Sequence, residues 1–465
     1  MRRETLEERI HSYVSGDYYP FHMPGHKRRG EILGEAEKLD LTELPNTDDL
    51  HHPAEILLWE EERAARLFGA ARSRFLVNGS SSGILAAMGA LFRSGDTILC
   101  ARNVHRSVIH GIYLFSLQVR WLLPEEAAAG MPGPISADEV KKALKETPEA
   151  AGVVLTSPSY EGFVSDIKEI AALTKEAGIP LLVDEAHGAH FLSFAEGFPA
   201  NAVSLGADLC VQSLHKTLPS PTQTAILHEA PGFQRRDRLE RFLSVFQTSS
   251  PSYILMTGIS GCLSFLEKNG REAFSAYRKR LDAFYQRLAR LKNLELLSAK
   301  GRDDGKLVIL TGEEAGQDGI ALASRLRRDY HLEPEMAAPG YCLAMTSVMD
   351  TDEGFERLEK ALITLDRSWG SRGGAAKEKP GLPEIRMSIH DAMEEETEEL
   401  PFTEAAGRVV SREISMYPPE TPLLLPGELL SEELIGYIQR LSSGGYTVHG
   451  LSPEGRISVV KREKL

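Results

Sequence analysis

The chain predicts an α/β fold: a large domain built on a mostly parallel, seven-stranded sheet, with a smaller α/β C-terminal domain. Three observations predict it. Seven apolar, strand-like runs recur between about residues 56 and 230, at Arg74–Asn78, Thr97–Ala101, Val119–Leu123, Gly152–Ser157, Pro180–Asp184, Leu209–Ser213 and Gln223–His228. Helix-length segments separate several of them, the pattern of strands covered on both faces. The residues with the most reactive side chains lie just past the carboxyl ends of these runs, where open α/β sheets bind ligands.

Taken in order, residues 1–55 carry few long apolar runs and read as an N-terminal arm. It contains Pro24-Gly25-His26-Lys27 and a turn-rich acidic stretch, Leu44 to Leu50. Residues 56–367 form the major domain with a small α/β unit after it. Its helix candidates include Ser81–Phe92, Asp166–Ala177 and residues 253–294, where Leu, Phe and Tyr recur at helix spacing among charges. The small unit, 306–365, has strand candidates at Leu307–Leu310 and Cys342–Ser347. Residues 368–383, rich in Gly, Ala and Lys, read as a linker. The C-terminal domain, 384–465, opens on a strand candidate, Glu384–Ile389, and holds a proline-rich segment, Tyr417 to Pro426.

Composition narrows the function classes. The 465 residues are 42% hydrophobic and 26% charged, ordinary for a globular protein. A net charge of −14 argues against nucleic-acid binding, which needs clustered Lys and Arg. No run of about 18 apolar residues exists, so no membrane contact is expected. The start, Met1 to Glu8, is charged with no apolar signal core behind it. Cys100, Cys210, Cys262 and Cys342 are dispersed without metal-ligand spacing, so free thiols, no metal and a cytoplasmic location are the expectation.

The chemistry begins at Lys216, in Ser213-Leu214-His215-Lys216-Thr217. A lysine after a strand can form a Schiff base with an aldehyde cofactor once its surroundings lower its pKa. Asp184, at the end of a neighbouring strand, can hold such a cofactor's ring nitrogen protonated. These are the two groups that pyridoxal phosphate (PLP) most needs. The plain alternatives are a surface lysine and a helix-capping aspartate. Ala186 is small enough to lie under a flat ring. The turn Asn78-Gly79-Ser80-Ser81-Ser82-Gly83 follows a strand and opens a helix, which makes a phosphate site. Ser213, His215 and Thr217 add donors. His105, past the next strand, can stack on the open ring face. His187 and His190 either line the site or serve structure. Tyr160 and Glu161 either face cofactor or substrate or simply turn over a strand end.

Together these residues resemble the ornithine/lysine/arginine decarboxylases of PLP fold type I. The matching stretches include Phe21-His22-Met23-Pro24-Gly25-His26-Lys27, Asp48-Asp49-Leu50-His51-His52-Pro53, Leu76 to Gly83, Arg102-Asn103-Val104-His105-Arg106-Ser107 and Val183 to Phe191. Gln212 to Pro219, Gln247 to Tyr253 and the C-terminal Tyr417-Pro418-Pro419…Pro426-Gly427-Glu428 also match. The resemblance runs from about residue 18 to the C-terminus. It implies an aspartate aminotransferase-like large domain and a homodimer or higher homo-oligomer with active sites at the subunit interface. It implies Lys216 as the Schiff-base lysine, Asp184 as the pyridine partner and His105 as the stacking residue. Ser80, Ser81, Ser213 and His215 would hold the phosphate. Thr248 and Ser249 would reach the site from the second subunit. The chain has no room before the Phe21 motif for an N-terminal wing domain, so a dimer or tetramer is expected. Glu420 stands where glycine is usual, and Ser80 where threonine is common.

The reaction implied is decarboxylation of a basic amino acid, arginine, lysine or ornithine, to agmatine, cadaverine or putrescine. A guanidinium prefers a planar bidentate carboxylate, and arginine or lysine is the favoured substrate. Glu413 and Glu428 are candidate partners for the distal cation, with Tyr160 nearby, and each carboxylate has a surface role as its alternative. The same Lys–Asp pair also serves transamination and retro-aldol cleavage, and a silent regulatory paralogue is the non-enzyme alternative.

Overall fold

The computed structural model describes residues 3–16, 18–312, 316–370, 380–417, 421–443 and 446–461. Seven strands form one sheet: β1 (Arg72–Leu76), β2 (Thr97–Ala101), β3 (Gln118–Leu122), β4 (Val153–Thr156), β5 (Leu181–Asp184), β6 (Leu209–Ser213) and β7 (Ala225–Glu229). Their order is β1-β7-β6-β5-β4-β2-β3. β2 runs parallel to β3 and β4, and β5 parallel to β6. β7 runs antiparallel to both its neighbours, β1 and β6. Each strand lies within two residues of its sequence expectation.

By contact the described residues divide into two compact units. The first comprises 1–91, 166–278 and 347–349, and the second 92–165, 279–346 and 350–465. In the first unit every residue of β5, β6 and β7 is buried. Apolar residues on both faces explain this, since each face must be covered. The helix Gly79–Leu91 packs on the helix Arg236–Phe246. Its last carbonyls, which have no partner inside the helix, accept from Arg235 (at Leu91) and from Arg238 Nε (at Gly89, 2.7 Å). The helix Ile167–Ala177 starts where Asp166 accepts from Glu169 N–H and stops at Gly178, whose φ of 71° only glycine adopts readily.

In the second unit a four-stranded antiparallel sheet has the order β10-β11-β9-β8, from β8 (Glu295–Leu296), β9 (Lys306–Leu310), β10 (Met336–Ala338) and β11 (Tyr341–Met345). Further on, β12 (Thr397–Pro401), β13 (Ile414–Tyr417), β14 (Thr421–Leu424), β15 (Thr447–His449) and β16 (Arg456–Val460) form two small sheets. Val410, Ile414, Leu424, Ile438 and Val459 share a core there. The expected strand at Glu384–Ile389 is not one. Only Ile385 makes a bridge, to Glu428, and Ser388 caps a helix, Ile389–Glu394, by accepting from Asp391 N–H. The Ser-x-x-Asp spacing overrides the polar–apolar alternation of the segment. Glu420 and most of the 368–383 stretch lie outside the described residues. Among the described residues no helix is long and apolar enough to cross a membrane.

Candidate active site

The site is built where β5 and β6 end together. Asp184 closes β5 and is buried. Its Oδ1 accepts Ala186 N–H at 3.1 Å, which leaves a second carboxylate oxygen for another partner. Ser213 N–H donates to Ala186 O at 3.3 Å, tying the exit of β5 to that of β6. Lys216 follows in one short turn of helix, Leu214–Thr217. Its Nζ lies 3.1 Å from His187 Nε2. The sequence left His187 ambiguous; the structure puts it against Lys216. His190 instead packs on Phe191 and Phe198, with ring centroids 4.6 and 5.4 Å away.

The serine turn meets the same place. Gly79, with φ of 77°, lets the chain turn from β1 into the helix Gly79–Leu91. Ser213 Oγ donates to Ser80 Oγ at 2.9 Å, and Ser82 Oγ is used on Gly79 O. Ser80 is half-buried and Ser81 exposed. First-turn N–H groups of a helix lack internal partners and favour an anion. His215 Nδ1 lies 3.0 Å from Thr224 O, which orients the ring, and burial pushes its pKa down. Thr217 Oγ1 is buried and has no hydrogen-bond partner among the described residues. A phosphate with oxygens in this cradle would match that hydroxyl, so the residues present fit PLP.

Thr248 sits beside the turn in its own chain: its N–H donates to Asn78 Oδ1 at 3.3 Å, and its carbonyl lies 2.8 Å from His51 Nε2. Gln247 staples the exit of β1, accepting from Val77 N–H at 2.9 Å and donating to Phe75 O at 3.2 Å. Ser249 is exposed.

Sequence reasoning gave no role to a buried polar chain behind Asp184. Ser73 Oγ lies 2.7 Å from His228 Nδ1, His228 Nε2 lies 3.1 Å from Gln212 Oε1, and Gln212 Nε2 donates to Glu185 Oε2 at 2.6 Å. Glu185 Oε1 accepts Ala202 N–H at 2.9 Å. Burial pushes the Glu185 carboxyl up to about 8 and His228 down to about 3. The available signal was one Gln and one His inside otherwise apolar strands.

In the second unit, His105 is exposed and caps the helix Arg106–Leu114 through Nδ1, which accepts Ser107 N–H at 3.2 Å. Nδ1 as acceptor places the ring proton on Nε2. Tyr160 is half-buried, its hydroxyl donating to Glu335, with Lys306 Nζ 5.7 Å from its ring centre. Glu161 is buried and accepts from Tyr341 Oη at 2.8 Å and Ser159 Oγ at 3.1 Å. Glu413 is half-buried in the loop before β13. Glu428 is buried, so it is not a surface carboxylate. Both its oxygens meet Arg102 Nη2, at 3.1 and 3.2 Å, and one also accepts Leu425 N–H at 2.7 Å. The cation that pairs with Glu428 is therefore the chain's own.

A family model described as Orn/Lys/Arg decarboxylase, major domain, matches residues 5–304, and one for that family's C-terminal domain matches 376–460. An arginine decarboxylase of Bacillus subtilis is 31% identical over 480 residues, covering 98% of this chain and 97% of that one. An arginine decarboxylase of Halalkalibacterium halodurans is 32% identical over 450 residues, 92% of this chain and 91% of its own. The solved structure of the Escherichia coli constitutive lysine decarboxylase shares the fold with a TM-score of 0.82, at 21% identity, over 98% of this chain and 82% of that one.

Proposed function

The chain belongs to the Orn/Lys/Arg decarboxylase family and is a PLP-dependent amino-acid decarboxylase, and on that premise we propose that it decarboxylates a basic amino acid, arginine or lysine ahead of ornithine, through a Schiff base on Lys216. The products would be CO2 and agmatine, cadaverine or putrescine. The observation that carries the reading is Lys216 Nζ held 3.1 Å from His187 Nε2, at the shared exit of β5 and β6 where Asp184 is buried.

Bound PLP supplies the electron sink for the pair left when the α-carboxylate departs. Asp184 would hold the proton on the pyridine nitrogen, and Ala186 is small enough to leave room for the ring. His187 is placed to take or return a proton at Lys216 Nζ. Ser80, Ser81, Ser213, His215 and Thr217 would hold the phosphate, with Thr248 and Ser249 completing the cradle. His105 keeps the stacking role that its motif implies, its orientation set by the bond to Ser107. Tyr160 and Glu413 remain the candidates for the substrate side chain. The arginine decarboxylases that cover more than nine-tenths of this chain favour a guanidinium substrate. A homodimer is proposed with this reading. Its support is the arm, where the rings of Tyr19 and Phe21, with centroids 4.8 Å apart, are 72% and 90% exposed.

The test is CO2 release by the PLP-loaded protein, offered arginine, lysine and ornithine separately, with Lys216→Ala as control. Release from one of them, lost in the control, is the expected result. An α-keto acid in place of CO2 would move the assignment to transamination.

A further inference from the structure

Arg102 and Glu428 form a buried ion pair between segments 326 residues apart. Arg102 is the first residue after β2 and is 8% exposed; Glu428 is 2% exposed. Beyond the carboxylate, the guanidinium reaches Pro422 O at 3.5 Å and lies 5.3 Å from the Trp121 ring centre. The turn that carries Glu428 is itself pinned. Glu428 N–H donates to Leu425 O at 3.1 Å, Val410 N–H donates to Glu428 O at 3.0 Å, and Arg386 N–H donates to Gly427 O at 2.8 Å.

A second grip lies further along the same segment. Tyr113, in the helix Arg106–Leu114, donates its hydroxyl to Glu394 Oε1 at 2.5 Å, and His390 Nδ1 lies 3.0 Å from Tyr113 O. Between the two grips stands His105, three residues after Arg102. The loop is thus held at its start by Glu428, and the helix that follows it is held near its last turn, at Tyr113, by the helix Ile389–Glu394.

We propose that the Arg102–Glu428 pair is a positioning device, by which the C-terminal part of the chain sets the place of His105. Taking two charges out of water is costly, so such a pair is weak as a source of stability and an apolar pair of similar size often serves as well. What an apolar pair lacks is direction. Arg102 Nη2 meets both carboxylate oxygens, Nη1 reaches Pro422 O and the guanidinium lies over Trp121, so contacts in several directions fix its plane. These contacts thereby fix where the Arg102–His105 loop leaves β2. Glu428 is a positioning residue in this account and not a contact of the substrate. The inference rests on the stacking role proposed for His105.

The test pairs hydrogen exchange with kinetics on the full chain. The variants are Glu428→Gln and the double apolar variant Arg102→Met with Glu428→Leu. In the cofactor-free double variant, amide exchange over residues 102–107 should speed up by about tenfold or more, while peptides from β5 and β6 keep wild-type rates. Loaded with PLP, it should lose about 10- to 100-fold in kcat, the scale of a misplaced group, with KM changed less than about threefold. Wild-type exchange and kcat in the double variant overturn the proposal. Failure of both variants to fold overturns it too, because the pair would then be structural. A wild-type protein inactive on all three amino acids would sink the proposed substrate class, and the exchange result would still decide the positioning claim.

Discussion

Gly83→Ala is a substitution that helix propensity alone favours and this structure forbids. Gly83 is the fifth residue of the helix Gly79–Leu91, whose first turn carries Ser80 and Ser81. A methyl group there overlaps Leu76 Cδ1 and lies 3.0 Å from Val211 Cγ1. Leu76 ends β1, Val211 lies in β6, and both are 0% exposed, so neither side chain has room to withdraw. Alanine gains about 1 kcal/mol over glycine inside a helix. Overpacking a tight core costs about 1–3 kcal/mol, and two contacts this close put the cost in the upper half. The net expectation is a loss of about 1–2 kcal/mol. The helix relieves the overlap by moving off the sheet, which carries Ser80 away from Ser213. Losing one charge-assisted hydrogen bond to phosphate costs about 1.5–3 kcal/mol, or about 10- to 150-fold in PLP affinity. Urea midpoints report the first quantity, and titration of the cofactor-free chain with PLP, followed by absorbance, reports the second. A variant more stable than wild type that binds PLP equally well would refute the close packing of this turn against β1 and β6.

Two further predictions follow from single groups. His228 has its folded pKa pushed down from 6.5 to about 3, so the unfolded chain binds the extra proton. Its stabilising contribution is complete above about pH 6.5 and is lost as pH falls toward 3. Between pH 7 and pH 5 the loss is about 2 kcal/mol, and His228→Leu should remove that part of the slope in paired urea melts; equal slopes in the two proteins would contradict it. Glu413→Gln should raise KM for the basic amino acid by about tenfold or more with kcat little changed, as for loss of uniform binding. An unchanged KM removes Glu413 from the substrate pocket.

The strands were legible because their code is local. Apolar runs bounded by polar turns mark β1 to β7, and Asp166 with Gly178 marks both ends of one helix. Lys216, Asp184 and the serine turn stood out in the sequence because each lies at or just past a strand end. The buried chain from Ser73 to Glu185 was not, since it depends on register: Ser73 and Cys210 both stand opposite His228. Pairings such as Arg102 with Glu428 leave no trace in either local sequence. Glu384–Ile389 was misread because polar–apolar alternation also suits a segment that bridges once and then enters a helix.

The central claim, that Lys216 is the residue that holds PLP, is tested most directly by trapping. The PLP-loaded protein is reduced with borohydride, digested, and its peptides mapped by mass. The account predicts one phosphopyridoxyl label, on Lys216, absent from Lys216→Ala. A label on another lysine, such as the buried Lys306, would contradict it.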